Sequence, residues 1–414
     1  FVQTTPSPCH QLFVDQLREG LAQGAVVRVE ITMWNLCVVL ALLTALLPDR
    51  GIAQVPRINK VSNWKSVFPK KAVRRGQPGT FRHIAWGKNL FFGCAVSIYN
   101  QNDFKQYRDI TRREFNMIVA KSECKMRKIM KVKNKGYDWK ECDALLDLAK
   151  KEGQYYRYHA IAWYSSTPGW VNALPQKQFR DLFIKFTKDA IKRYAQPRVQ
   201  SWDVANEALE QTQKSPAKNP KWRKSMLYKK FPDHLEVLHR VAKNEASRLK
   251  KPARLFYNDF GAESSRGWMK GKADAIFHIV KQLRARGAPI DGVGFQAHLS
   301  LDWSDYNGVA QNFKRLGQMG LEVQLTEVDV TCGRPVKGKW QFCQGWNQKK
   351  REQQAKIFAG MLRVCMKAPN CTAFVTWGVS DRWTWRPKDH PFIYDAKFNK
   401  KPAWFSLMNT LKAN

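Results

Sequence analysis

Eight short apolar runs, interrupted by stretches of helical periodicity, constrain this chain more than any other feature. They cover residues 90–97, 115–121, 156–163, 199–206, 254–258, 293–299, 323–330 and 373–379. Several of the intervening stretches are amphipathic: 139–151 keeps Cys142, Leu145, Leu146 and Leu148 on one face, and 272–285 and 353–366 are patterned alike. Strands alternating with helices build parallel βα units, and eight such units can close into a (β/α)8 TIM barrel, here expected as a single α/β domain. A doubly wound open sheet is the structural rival. No Gly-rich phosphate loop follows the first run, which argues against nucleotide binding by that route.

The 414 residues suffice for one large core or two domains, and 44% hydrophobic with 12% aromatic content describes a globular chain. The net charge of +37 favours polyanions, whether nucleic acid, acidic lipid or acidic polysaccharide. The Lys and Arg are spread out, however, with short clusters only at 70–75, 125–135 and 214–230, and no nucleic-acid module accompanies them. No specific nucleic-acid partner is therefore expected. Sixteen Trp supply surfaces on which sugar rings or bases can stack, although about half of them are expected in the core.

Residues 36–47 (LCVVLALLTALL) have the length of a signal-peptide core and are short for a membrane span. Met33 precedes them and Gly51-Ile52-Ala53 offers a small-residue cleavage site. The expected organisation is an uninterpreted 1–32, a signal peptide at 33–53, a basic and extended segment at 54–88, and a catalytic domain at 89–414. Such a chain is secreted to the extracellular space or cell wall and keeps no stable membrane insertion after cleavage. Seven Cys would remain, and secretion permits disulfides. Cys365/Cys371 and Cys332/Cys343 suit local loops, an odd thiol must be left over, and the sequence does not fix the pairing. No Cys/His cluster has zinc-ligand spacing, so neither a metal nor another cofactor is expected.

In such a barrel, reacting groups sit at the C-terminal ends of strands. Glu207 closes VQSWDVANE after the fourth run, and Glu327 lies in LEVQLTEVDV on the seventh. Hydrolysis of an acetal between sugars needs two carboxyl groups flanking the bond. A lone Glu after an apolar run is ordinarily a solvated or capping residue. Here Asn206 precedes one and Asp329 follows the other, and His159, Trp163, Asn258, Gln296, His298 and Trp377 fall at the ends of other runs. Polar and aromatic groups converging from six strands are hard to explain as core packing.

At these residues the chain resembles glycoside hydrolase family 10, best known for endo-β-1,4-xylanases. WDVANE resembles the acid/base motif and LTEVDV the nucleophile motif. YHAIAWYSSTPGWV, LFYNDF, VGFQAHLS, and WGVSDRWTW followed by KPAW fall in the expected order, over roughly residue 90 to the C-terminus. Any one motif is weak; six in order are strong. The resemblance implies that Glu207 is the general acid/base and Glu327 the nucleophile. Asn206 would hold a sugar 2-hydroxyl, and His298, oriented by Asp329, would hydrogen-bond Glu327. His159, Trp163, Gln296, Trp377 and Trp385 would line the sugar. It also implies retention of configuration through a glycosyl-enzyme intermediate, with the carboxyls roughly 5–5.5 Å apart. A donor should keep Glu327 ionised, while a less polar niche should keep Glu207 protonated near neutral pH.

The departures fall in the sugar-binding shell. A Glu-Asn-Glu-Met-Lys-Trp run that grips sugars in the family reads Lys121-Ser122-Glu123-Cys124-Lys125-Met126 here. Lys125 is kept, but Lys121 replaces a carboxylate acceptor with a cation that can only donate. Ser166, Tyr164 and Phe260 stand where Gln, His and Tyr are usual. Lys121, Ser122 and Lys125 are candidate sugar contacts, and positive charge there would suit an acid-decorated glycan. The expected function is a secreted, monomeric, endo-acting β-1,4-xylanase; the alternatives are weakened sugar binding or an acid-decorated substrate at Lys121, a catalytically weak polysaccharide-binding protein on the same barrel, and a charge-driven nucleic-acid binder resting on composition alone.

Overall fold

The computed structural model describes residues 73–413 apart from 216–218 and 337–338. The expected signal peptide at 33–53, residues 1–32 and the stretch 54–72 lie outside the described residues. Strands β1 Phe91–Val96, β2 Met117–Ala120, β3 Tyr155–Tyr158 and β4 Val199–Asn206 are followed by β5 Leu255–Asp259, β6 Gly292–Phe295, β7 Glu322–Thr331 and β8 Cys371–Thr376. Each pairs in parallel with the next, and β8 pairs back onto β1, so the sheet closes into an eight-stranded barrel. The open-sheet rival is thereby excluded.

One main helix follows each strand. They are α1 Lys105–Glu114, α2 Lys140–Glu152, α3 Gln176–Tyr194 and α4 His234–Arg248. The second half supplies α5 Gly267–Ala285, α6 Tyr306–Gln318, α7 Gln348–Lys367 and α8 Pro402–Ala413. Their apolar stripes face the sheet: α3 buries Phe179, Phe183, Phe186, Ala190 and Tyr194 at three- to four-residue spacing. Side-chain caps fix where helices begin, as where Asp305 accepts from the Gly308 amide at 3.1 Å and Asn347 from the Lys350 amide at 3.1 Å. Among the described residues no helix is long and apolar enough to cross a membrane.

The expectation of an extended 54–88 fails at its end. Phe81–Gly87 is a helix, capped by Thr80 Oγ1 accepting from the His83 amide at 3.2 Å. Phe81 stacks on Phe92 at 4.7 Å and tilts against Trp404 at 5.0 Å, so this helix joins β1 to α8. The buried Arg82 guanidinium donates to the carbonyls of Arg112, Glu152 and Gly153.

The barrel interior is divided. One side is apolar, built from Phe91, Ala95, Met117, Val119, Tyr155, Ala373 and Val375. The other carries a buried polar network. Arg157 pairs with Asp203 (Nε–Oδ2 3.0 Å) and donates to Gln324, Ser201 donates to Gln324 at 3.1 Å, and Arg254 pairs with Glu322. Charges survive inside a fold only when paired and hydrogen-bonded in this way. Two irregularities interrupt the ladders above this network. β4 carries an extra residue between Asp203 and Ala205 relative to β5, and β7 carries one between Leu325 and Val328 relative to β8. Such bulges re-aim the side chains beyond them.

Cys332–Cys343 and Cys365–Cys371 are bridged as their spacing suggests, and Cys124–Cys142 forms a third disulfide. Among the described residues Cys94 is the odd thiol, and it is buried. Among the described residues no group of three or more His, Cys, Asp or Glu could hold a metal ion.

Candidate active site

The two glutamates share one hydrogen-bonded cluster at the C-terminal mouth of the barrel. Beyond the β4 bulge, Asn206 faces inward; within the β7 bulge, Thr326 and Glu327 both reach Asn258. Asn206 Nδ2 donates to Glu207 Oε1 at 3.2 Å, and its Oδ1 accepts from Asn258 Nδ2 at 2.8 Å. That same amide donates to Glu327 Oε1 at 2.9 Å, while Gln296 Nε2 donates to Glu207 Oε1 at 3.1 Å. Three amides thus bridge the carboxyls. Space for Asn258 comes from Gly294 on β6, where any Cβ would overlap the Asn258 amide oxygen.

The surroundings drive the two carboxyls apart in acidity. Burial works to raise Glu327, but the His298 hydrogen bond and the charges of His159, His298 and Lys125 win and hold it at about 2. His298 lies between carboxylates, Nε2 3.2 Å from Glu327 Oε2 and Nδ1 3.0 Å from Asp329 Oδ2. Burial opposes its charge, yet Asp329 and Glu327 lift it to about 10. Glu207 goes the other way: burial, then the charge of Asp259, raises its pKa. One carboxylate is therefore ionised and the other holds its proton more tightly than usual, the division of labour that acid-assisted acetal cleavage requires.

Aromatic walls surround this pair. His159 Nδ1 is 2.9 Å from Asp203 Oδ2, and its ring meets the Trp377 edge at 5.1 Å. Lys125 Nζ lies over Trp163 at 4.4 Å and near Trp377 at 5.6 Å. Burial lowers its pKa against the pull of Glu327 and Glu207. Trp385, 45% exposed, donates from Nε1 to Asp329 Oδ2 at 2.7 Å and packs 4.7 Å from the His298 ring. Glu207, Glu327, Asn206, Asn258, Gln296, His298, Asp329, His159, Lys125, Trp163, Trp377 and Trp385 are all brought together. Lys121 is placed differently. Its Nζ donates to the Trp383 carbonyl at 2.9 Å, and burial lowers its pKa to about 8 despite Glu123. The Ser122 amide donates to Glu123 at 2.9 Å.

Residues 81–410 match the model of glycosyl hydrolase family 10. The chain belongs to that family. Among its curated relatives is endo-1,4-beta-xylanase B of Neocallimastix patriciarum, 29% identical over 72% of this chain, which spans only 32% of that longer protein. Endo-1,4-beta-xylanase B of Thermotoga neapolitana is 27% identical over 80% of this chain and 91% of its own length. Xylanase 10B of Thermotoga petrophila, solved with xylobiose, superposes with a TM-score of 0.72 at 24% identity, covering 81% of this chain and 98% of that one. XylE of Penicillium canescens gives 0.72 at 22%, over the same shares. Both superpositions extend to a fold-level likeness.

Within this family 10 chain, sequence reading passed over Asp203, Asp259, Lys272 and Arg223. Asp203 holds His159 and Arg157 and was legible as the single charge in the run VQSWDVAN. Asp259 and Lys272 form a buried pair (3.0 Å), and Arg223 Nε donates to the Glu207 carbonyl at 2.8 Å. Nothing in the local pattern around the latter two sets them apart from surface cations. Asn370-Cys371-Thr372 has the pattern of a glycosylation sequon, but Asn370 is buried, its Nδ2 donating to the carbonyls of Phe313 and Leu321 at 3.0 Å each.

Proposed function

We propose that this chain is a secreted, endo-acting β-1,4-xylanase that cleaves with retention of configuration. The observation that carries the reading is the pair of carboxyls bridged by Asn206, Asn258 and Gln296, with Glu327 ionised and Glu207 raised. Glu327 attacks the anomeric carbon while Glu207 gives its proton to the departing glycosidic oxygen. Glu207, now a carboxylate, takes a proton from the water that releases the glycosyl-enzyme. His298, held by Asp329, keeps Glu327 charged and aimed. Asn206 binds a hydroxyl of the sugar being cleaved, and Trp163, Trp377 and Trp385 stack on or enclose its ring. Lys125 donates to sugar hydroxyls between the two carboxyls. The endo-1,4-beta-xylanase names of the relatives support xylan as the polymer. Three disulfides support an oxidising, extracellular setting.

The test is reducing-end release on neutral arabinoxylan, glucuronoxylan, cellulose and a sulfated algal glycan, with Glu327→Ala and Glu207→Gln beside the parent. Xylan cleavage should vanish in Glu327→Ala, and Glu207→Gln should act only on substrates with good leaving groups. Retained xylan cleavage in both variants would overturn the assignment. Binding without cleavage by the parent would put a polysaccharide-binding protein in its place.

A further inference from the structure

Glu207 has a left-handed backbone, φ +56°, which a side-chain-bearing residue holds only where its surroundings force it. Its amide donates to the Asn258 carbonyl at 2.9 Å, and Arg223 Nε takes its carbonyl. The next turn is held from beneath by Lys272 on α5. That ammonium, fully buried, donates to the carbonyls of Leu209 at 2.9 Å and Glu210 at 3.2 Å, and lies 3.0 Å from Asp259 Oδ2. Asp259 is tied in turn to the Tyr257 hydroxyl and to the Phe260 amide at 2.9 Å. Its own carbonyl accepts from the Gln296 amide at 3.0 Å, the residue whose side chain donates to Glu207 Oε1. The pair therefore touches both what fixes the Glu207 backbone and what aims its carboxyl.

A buried ion pair contributes little net stability compared with apolar residues of the same volume. Two carbonyls of a turn pointing at one sequestered ammonium are a geometric device. We infer that Lys272 and Asp259 are positioning residues for the acid/base Glu207, holding its turn so that the carboxyl meets the departing oxygen. The inference rests on the assignment of Glu207 as acid/base. Asp259 also lies close enough to raise the proton affinity of Glu207, so the pair bears on both the place and the readiness of that proton.

The test is the double variant Lys272→Met with Asp259→Asn, which removes both charges together and keeps an acceptor for the Phe260 amide. kcat/KM is measured on xylohexaose, whose leaving group needs protonation, and on dinitrophenyl β-xylobioside, whose leaving group does not. Misplaced acid assistance predicts a loss on the order of a hundredfold on xylohexaose and less than about threefold on the aryl substrate. The alkaline limb of the xylohexaose profile should also move to lower pH. Equal losses on both substrates, or none on either, would overturn the inference, because a merely structural pair does not distinguish leaving groups. Should the double variant fail to fold, Lys272→Arg carries the same leaving-group prediction, since it shifts the donors outward, but without the move of the alkaline limb, because Asp259 keeps its charge. Glu207→Gln runs alongside. If it too ignores the leaving group, the acid/base assignment has failed; if it alone discriminates, only the positioning role has.

Discussion

Replacing His298 by Asn removes the cation between Glu327 and Asp329 while leaving the buried position of Glu327 unchanged. In the parent, that cation and its neighbours hold Glu327 at about 2 against burial. Without it, burial dominates and Glu327 should titrate at or above its ordinary 4.5. The difference of roughly two units or more corresponds to about 3 kcal/mol of lost stabilisation of the carboxylate. The assay is the pH dependence of kcat/KM on dinitrophenyl β-xylobioside, where proton donation by Glu207 is not needed. The parent should hold its activity down to the pH at which it unfolds. The variant should lose half of its own plateau near pH 4.5 or higher, with circular dichroism confirming that it remains folded there. An acid limb below about pH 3 in the folded variant would refute the argument that His298 governs the ionisation of Glu327.

His298 also predicts how stability follows pH. Its folded pKa, about 10, lies above the ordinary 6.5, so its contribution is full below pH 6.5 and lost as pH rises toward 10, which denaturant titrations across that range would register. Gly294→Ala should push Asn258 off Glu327, lowering kcat/KM on xylan at least tenfold and destabilising by about 1–3 kcal/mol through overpacking. Cys124→Ser with Cys142→Ser should cost about 3 kcal/mol for the 18-residue separation closed by that bridge, measured by urea unfolding. Lys121→Glu should fail to improve activity on neutral xylan, because a carboxylate would face the Trp383 carbonyl that the ammonium now satisfies; improved kcat/KM would show that the side chain instead meets substrate.

The barrel was readable because each strand is apolar enough to be buried on both faces, and the helices between them keep a single stripe. The proposed catalytic pair, Glu207 and Glu327, stood out in the sequence because strand ends are where chemistry sits in such a barrel. What sequence obscured were the places where burial depends on distant partners. Lys121 reads as a solvated lysine or a sugar contact, and only its encounter with a carbonyl 262 positions away settles its place. Lys272 sits in an amphipathic helix among other basic residues, and its sequestration depends on the turn after β4 and on Asp259. The helix Phe81–Gly87 was hidden by the basic stretch before it, although Thr80 with Phe81 and Ala85 carries a cap and an apolar pair.

The extra residues in β4 and β7 mean that a phase slip within a strand sets the approach to each carboxyl, before the turn at Glu207 adds its own constraint. Below the slips, Asp203 and Gln324 point inward; past the β4 slip it is Asn206, and within the β7 slip Glu327 joins Thr326 in reaching Asn258. Removing one residue from either slip would rotate the reacting group into the helix layer, a lesion that no change in the loops could repair. Loops other than the turn after Glu207 and the one that carries Trp385 are freer to lengthen or be exchanged. A family built this way can vary its substrate-facing rim widely while its chemistry stays locked to the parity of two strands.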